Sequence, residues 1–98
     1  MKTYELEFHL LAQKEWQKLD SSVREQFKKQ IHKRLLNPHV PSARLSAELS
    51  TFYKIKLKAL GYRLVYEVID HRLVIVVVAL GRRENNSVYA TARARVVQ

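Results

Sequence analysis

The clearest pattern along the chain is the alternation from Tyr53 to Lys58. Tyr53, Ile55 and Leu57 fall on one side, and Lys54, Lys56 and Lys58 on the other. A period of two marks a half-buried strand. Ala59-Leu60-Gly61 follows as a turn, with Gly61 free to take a positive φ, and a second strand is predicted from Tyr62 to Ile69. With residues 58–61 as the loop, Leu57 faces Tyr62, Lys56 faces Arg63 and Ile55 faces Leu64. Lys54, Lys56 and Arg63 then share one face, within cross-strand reach of each other. Like charges set opposite each other destabilise a sheet. The face is therefore either a seat for a polyanion or a solvated strand face that happens to be basic.

The pattern on either side supplies the other elements. Residues 2–8 alternate, with Tyr4, Leu6 and Phe8 on one side and Lys2, Glu5 and Glu7 interleaved, which predicts a first strand. From His9 the period changes: Phe8, Ala12, Trp16 and Leu19 recur at helical spacing, with Lys14, Glu15 and Lys18 outside. Trp16 is read as a core anchor rather than a base-stacking residue. Asp20-Ser21-Ser22 breaks this helix, and Ser22 with Glu25 fits a capping box for the next. Val23, Phe27, Ile31 and Leu35 then recur every four residues, while Arg24, Lys28, Lys29, Lys33 and Arg34 form a basic face, which either contacts phosphates or, the favoured reading, is solvated. Asn37-Pro38 ends the helix. The two helices read as an αα-hairpin. Pro38 and Pro41 mark a loop, with one helical turn between Ser42 and Leu49.

After the basic hairpin, Asp70-His71 reads as a two-residue turn into a strand from Arg72 to Leu80. Its run of Leu, Val, Ile and Ala is apolar on both faces, as in a central strand covered on both sides. In that register Val74, Val76 and Val78 share the face of Arg63 and Val65, so the basic face is partly apolar. Such a mixed surface suits protein docking. Leu80 lies beside Gly61, and Arg82 and Arg83 emerge at the end of the sheet where Lys56 and Arg63 sit. From Ser87 to Gln98, Ala90, Ala92 and Ala94 alternate as in a strand, while Val88, Ala92 and Val96 fit a helix. The alanines favour the helix.

The whole reads as a single α+β domain over residues 1–98: an N-terminal strand, an αα-hairpin, a three-stranded antiparallel meander and a short C-terminal helix. A chain of 98 residues buries roughly 65% of its unfolded surface, enough for a core without staples. There is no cysteine, which excludes disulfides and thiolate metal sites. No apolar run is long enough to span a membrane, and the first residues carry no signal-peptide core; a cytoplasmic location is expected. The net charge is +9. Residues 1–50 hold nine Lys/Arg against six Asp/Glu, and residues 51–98 nine against three, so the excess lies with the hairpin. Such a domain suits a polyanion, nucleic acid first, or an acidic protein.

The four histidines are scattered without ligand spacing, and neither a Ser/His/Asp grouping nor a glycine-rich phosphate loop is present. What remains is a basic cluster with tyrosines: Lys54, Lys56, Arg63, Arg83 and Tyr89. Such a set can cleave RNA without a metal, because the 2′-hydroxyl of the RNA is itself the nucleophile. The protein must supply a base, positive groups for the developing charge, and an acid for the leaving 5′-oxygen. Neighbouring cations favour the neutral form of a lysine, the form a base needs. Arginine stays charged and binds phosphate through its fork. The plainer reading of the same residues is that Tyr89 packs on the sheet and the lysines bind backbone phosphate.

These residues carry a resemblance. Tyr53-Lys-Ile-Lys-Leu, Gly61-Tyr-Arg-Leu-Val-Tyr, Gly81-Arg-Arg-Glu and Val88-Tyr89, in this order and spacing, resemble the RelE family of bacterial toxins. Lys14-Glu15-Trp16, Lys18-Leu19 and Val23-Arg24-Glu25-Gln26 match it too, so nearly the whole chain is covered. The resemblance implies a fold like small microbial ribonucleases and ribosome-dependent cleavage of mRNA in the ribosomal A site. It also implies a cognate, RelB-like antitoxin and no metal or other cofactor. By position it makes Lys54 the general base, while Lys56 and Arg63 hold the scissile phosphate. Arg83 serves the transition state or leaving group, and Tyr89 stacks on or orients a base. Lys58 and Arg82 are expected to bind RNA. From charge and pattern, the antitoxin should be acidic where it docks and present an amphipathic helix or strand.

Two positions depart from the family. Asn85 stands where relatives often carry another basic residue, and Leu45-Ser46-Ala47 where they often show Leu-Arg-Gly. Both bear on RNA or ribosome contact more than on bond breaking. The related ParE toxins share the fold, poison DNA gyrase and lack the nuclease residues, so a gyrase inhibitor is the second reading. A non-catalytic RNA-binding module is the third.

Overall fold

The computed structural model describes residues 3–45, 51–82, 84 and 87–96. β1 (Glu5–Phe8) leads into α1 (Leu10–Gln17) and α2 (Ser21–Leu36). A 3₁₀ turn (Pro41–Ala43) precedes β2 (Phe52–Leu57), β3 (Tyr62–Ile69) and β4 (Val74–Arg82), and α3 (Ser87–Val96) closes the chain. The strands form one sheet in the order β1-β4-β3-β2, with β2–β3 and β3–β4 antiparallel and β1 parallel to β4. The predicted order of elements is the observed one. β4 lies between β1 and β3, and both its faces are covered, one by the helical hairpin and one by α3, as its doubly apolar sequence requires.

The β2–β3 register is the predicted one: Leu57 pairs with Tyr62, Lys56 with Arg63 and Ile55 with Leu64. Gly61 takes φ 72°, and its N–H closes the turn on the carbonyl of Leu57 at 2.8 Å. The β3–β4 turn differs from the prediction. A two-residue turn needs positive φ at its centre, usually from Asn-Gly or Gly, and Asp70-His71 has neither. The chain instead makes a 3₁₀ turn over Asp70–Arg72, and Leu73 takes the left-handed conformation, at φ 55° and ψ 49°. The strand therefore begins at Val74, and Ile69 pairs with Val74.

A register shift between Val65 and Tyr66 places Tyr66 opposite Val77 and Val65 opposite Ala79, leaving Val78 as the extra residue. Alternation gives β4 two cores, and the bulge puts the consecutive residues Val78 and Ala79 in the same one. Ile75, Val77 and Leu80 join Tyr53, Leu64, Tyr66 and Phe27 under the helical hairpin. Val78 and Ala79 join Phe52, Val65, Val88 and Ala92 under α3. The predicted sharing of a face by Val65 and Val78 holds, but Leu80 pairs with Leu64 and not with Gly61.

Trp16 is a core residue, packed on Phe8 and Phe27 at ring distances of 5.4 and 6.3 Å. The cap of α2 is Asp20, two residues before the predicted Ser22. Ser22 sits inside the first turn and donates its hydroxyl to the Asp20 carboxylate at 2.6 Å. Glu25 pairs with Lys28 at 3.4 Å instead of closing a capping box. The expected helical turn between Ser42 and Leu49 is seen only in Pro41–Ala43, because residues 46–50 lie outside the described residues.

Asp70 ties the β3–β4 turn to the start of the chain. Tyr4 donates its hydroxyl to Asp70 at 2.6 Å, and His39 Nε2 lies 2.9 and 3.2 Å from the two carboxylate oxygens. The Tyr4 hydrogen bond first, and His39 after it, hold the Asp70 carboxyl below its ordinary value. A depressed carboxyl pKa stabilises the fold above the unfolded value near 4 and loses that contribution as pH falls through the folded value. Melting midpoints measured from pH 5 downward should therefore fall less steeply in Tyr4→Phe than in the parent. These groups are exposed, so the difference is under about 1 kcal/mol. Identical slopes would show that the hydrogen bond does not act on Asp70.

Candidate functional site

β2 and β3 place the cations. Alternation turns Tyr53, Ile55 and Leu57 into the hairpin core, so Lys54 and Lys56 face the side on which α3 packs. Lys56 stands directly opposite Arg63, and Lys54 opposite Val65. Lys54 and Arg63 are half-buried, and Lys56 and Lys58 exposed. Lys54, Lys56 and Lys58 line an open cleft of about 310 Å³ with Arg34, Ser42 and Ala43. The predicted juxtaposition of Lys54, Lys56 and Arg63 on one face of the β2–β3 pair is therefore present, at the outer edge of the sheet.

α3 brings Tyr89 to the same place. The Arg63 guanidinium carbon lies 5.0 Å from the centre of the Tyr89 ring, a cation–π geometry. The Tyr89 hydroxyl is buried and has no hydrogen-bond partner among the described residues. Burial pushes its pKa up, and the positive charge of Arg63 partly opposes this. The phenol is therefore protonated at neutral pH and able to donate. Placed beside a cation, it can orient or stack on a ligand that enters over the sheet.

Arg82 does not join this group. Beyond the bulge it pairs with Tyr62 and lies 5.5 Å over that ring. Tyr62 packs against the hairpin core, so Arg82 points to the opposite face of the sheet. The one-residue bulge is the reason, since it inverts the alternation of everything that follows. Arg83, the remaining predicted catalytic residue, lies outside the described residues, as do Ser46 and Asn85.

The sequence reading missed Arg34. It was placed on the solvated face of α2, yet it is half-buried. Its Nη1 donates to the Lys54 carbonyl at 3.1 Å and to the Tyr66 hydroxyl at 2.7 Å. Tyr66 in turn donates to the Pro38 carbonyl at 2.8 Å. Arg34 thus closes the open edge of β2 at the residue whose side chain enters the cleft. The available signal was its position three residues after Ile31, at the margin of the apolar stripe.

The sequence matches the family described as ParE toxin of type II toxin-antitoxin system, parDE, over residues 6–87. A RelE-like toxin protein of Escherichia coli is 50% identical over 93 residues, covering 95% of this chain and 97% of its own. The mRNA interferase toxin RelE of Escherichia coli is 45% identical over 94 residues, 96% of this chain and 98% of the relative. The chain is a RelE-family toxin. Among solved structures, an arginine-to-alanine double variant of E. coli toxin RelE in the free state superposes on this toxin with a TM-score of 0.87. It is 44% identical and covers 96% of this chain and 98% of its own. The toxin in the intact E. coli RelBE toxin–antitoxin complex gives a TM-score of 0.79 at 45% identity, over 84% of this chain and 99% of that one. The ParE description covers the shared fold; the near full-length identity to RelE proteins sets the branch. Among the described residues no helix is long and apolar enough to cross a membrane.

Proposed function

We propose that this chain is a single-domain, cytoplasmic mRNA interferase that cuts messenger RNA in the ribosomal A site and is neutralised by a RelB-like antitoxin. The observation that carries the reading is the joining of Lys54, Lys56 and Arg63 on one strand pair with Tyr89 set against Arg63. The chain around them is 45% identical to an mRNA interferase toxin. Lys54 takes the proton of the 2′-hydroxyl, whose oxygen attacks the adjacent phosphorus. Lys56 and Arg63 hold the phosphate and offset the charge that builds on it. The bond to the 5′-oxygen breaks, Arg83 offsets the charge on that oxygen while it takes a proton from water, and a 2′,3′-cyclic phosphate remains. Tyr89, with its phenol intact, orients or stacks on a base beside the scissile bond. Lys58 binds the backbone at the cleft. Arg82, on the other face over the Tyr62 ring, binds RNA away from the scissile phosphate.

The ParE family match favours a second reading, a gyrase inhibitor on the same fold. Primer extension on a defined mRNA, with and without programmed ribosomes, separates the two. Cuts confined to the A-site codon and dependent on ribosomes, and lost in Arg83→Ala, are the expected result. Growth arrest with uncut message and DNA damage would replace the nuclease by the gyrase reading. Cuts in naked RNA would keep the chemistry and remove the ribosome.

A further inference from the structure

Glu15 and Arg95 stand outside the chemistry just proposed. The sequence pattern puts Glu15 on the outward side of α1, but the structure turns it inward. Arg95 Nη1 donates to Glu15 Oε1 at 2.9 Å and Nη2 to Oε2 at 3.1 Å. The same Nη1 donates to the carbonyl of Val78, the bulged residue of β4, at 2.7 Å. The Leu80 N–H donates to Glu15 Oε1 at 3.3 Å. The Arg95 side chain is 12% exposed and that of Glu15 33%. A planar fork met by both carboxylate oxygens has little freedom to rotate, which a single lysine-type contact would leave.

The apolar hold on α3 is slight. Its buried residues are Val88 and Ala92, and a ten-residue helix is marginal without packing. At 100° per residue Val88, Ala92 and Arg95 share one face, and Tyr89 stands at its margin. Arg95 lies six residues beyond Tyr89, about 9 Å along the axis. The two small apolar residues let the helix roll on the sheet, and the fork fixes that roll from the far end.

We propose that Glu15 and Arg95 are a positioning pair for Tyr89: by locking α3 to α1 and to the β4 bulge, they set the Tyr89 ring against Arg63. The pair touches no RNA and acts only through Tyr89. This rests on the nuclease reading and on the place of Tyr89 in the site.

The test is a double-mutant cycle in single-turnover cleavage on saturating programmed ribosomes, joined to amide hydrogen exchange of α3. Arg95→Ala should slow cleavage about 10- to 100-fold, the scale of a misplaced catalytic group, with ribosome half-saturation unchanged. In a Tyr89→Ala background the same change should alter the rate by less than about twofold. Arg95→Lys, which keeps charge and loses the fork, should recover part of the rate. Exchange across α3 should quicken in Arg95→Ala while α2 stays protected. Equal losses in both backgrounds, or α3 amides as protected as in the parent, overturn the proposal. If Arg95→Ala fails to fold, Glu15→Gln carries the same comparisons. A parent that does not cleave at all ends the nuclease reading, and α3 exchange still decides whether the pair locks the helix.

Discussion

Lys54→Ala is expected to slow cleavage on programmed ribosomes by about 10²- to 10⁴-fold, the range that a positioned proton-transfer group contributes. The fold should not change with it. The structural work at this position is done by the backbone: the carbonyl accepts from Arg34, and the residue keeps its pairing with Val65. An alanine preserves both. The side chain is half-buried in a cleft shared with Arg34, Lys56 and Lys58, so its loss also relieves crowding of like charges. Single-turnover rates, read beside a thermal melt, check both halves. Parent-like cleavage at an unchanged melting midpoint would remove Lys54 from the chemistry and leave the cleft as a docking surface.

Arg63→Ala should cost about 10²- to 10³-fold, as removal of one preorganised group facing developing charge does elsewhere. Two described effects on stability have opposite sign. The variant loses a cation–π contact with Tyr89, worth roughly 0.5–1 kcal/mol. It also removes a like charge directly opposite Lys56, which gains back roughly 0.2–1 kcal/mol. Arg63→Lys keeps the charge without the planar fork and should recover only part of the rate. A variant that melts like the parent and cuts slowly would mark Arg63 as functional. One that loses stability and rate together would mark it as a packing residue.

Lys54, Lys56 and Arg63 were legible because a strand pair is a local object. Alternation gives each side chain a face, the loop ending in Gly61 gives the register, and their meeting follows by counting. Tyr89 was legible as a candidate but its seat beside Arg63 was not, since the tail pattern fitted a strand as well as a helix. Arg82 leaves the sheet at the expected end, beside Tyr62, but nothing in the run of valines announces the bulge that turns it to the other face. Arg34 and Glu15 were read as solvated charges. Their partners, the Lys54 carbonyl and the Arg95 fork, lie 20 and 80 residues away, beyond the reach of any helical or strand period.

Periodicity and turn chemistry act within a few residues, and they were enough to set the α+β order of elements, the β2–β3 register, a central apolar β4 and a basic hairpin. The tertiary structure alone decided the parallel docking of β1 on β4, the bulge at Val78, and the face on which Arg82 falls. It alone decided the seating of α3, which brings Tyr89 to Arg63. Each of these depends on which distant surfaces fill one another and on where buried polar groups find partners, and that is settled only when the layers pack.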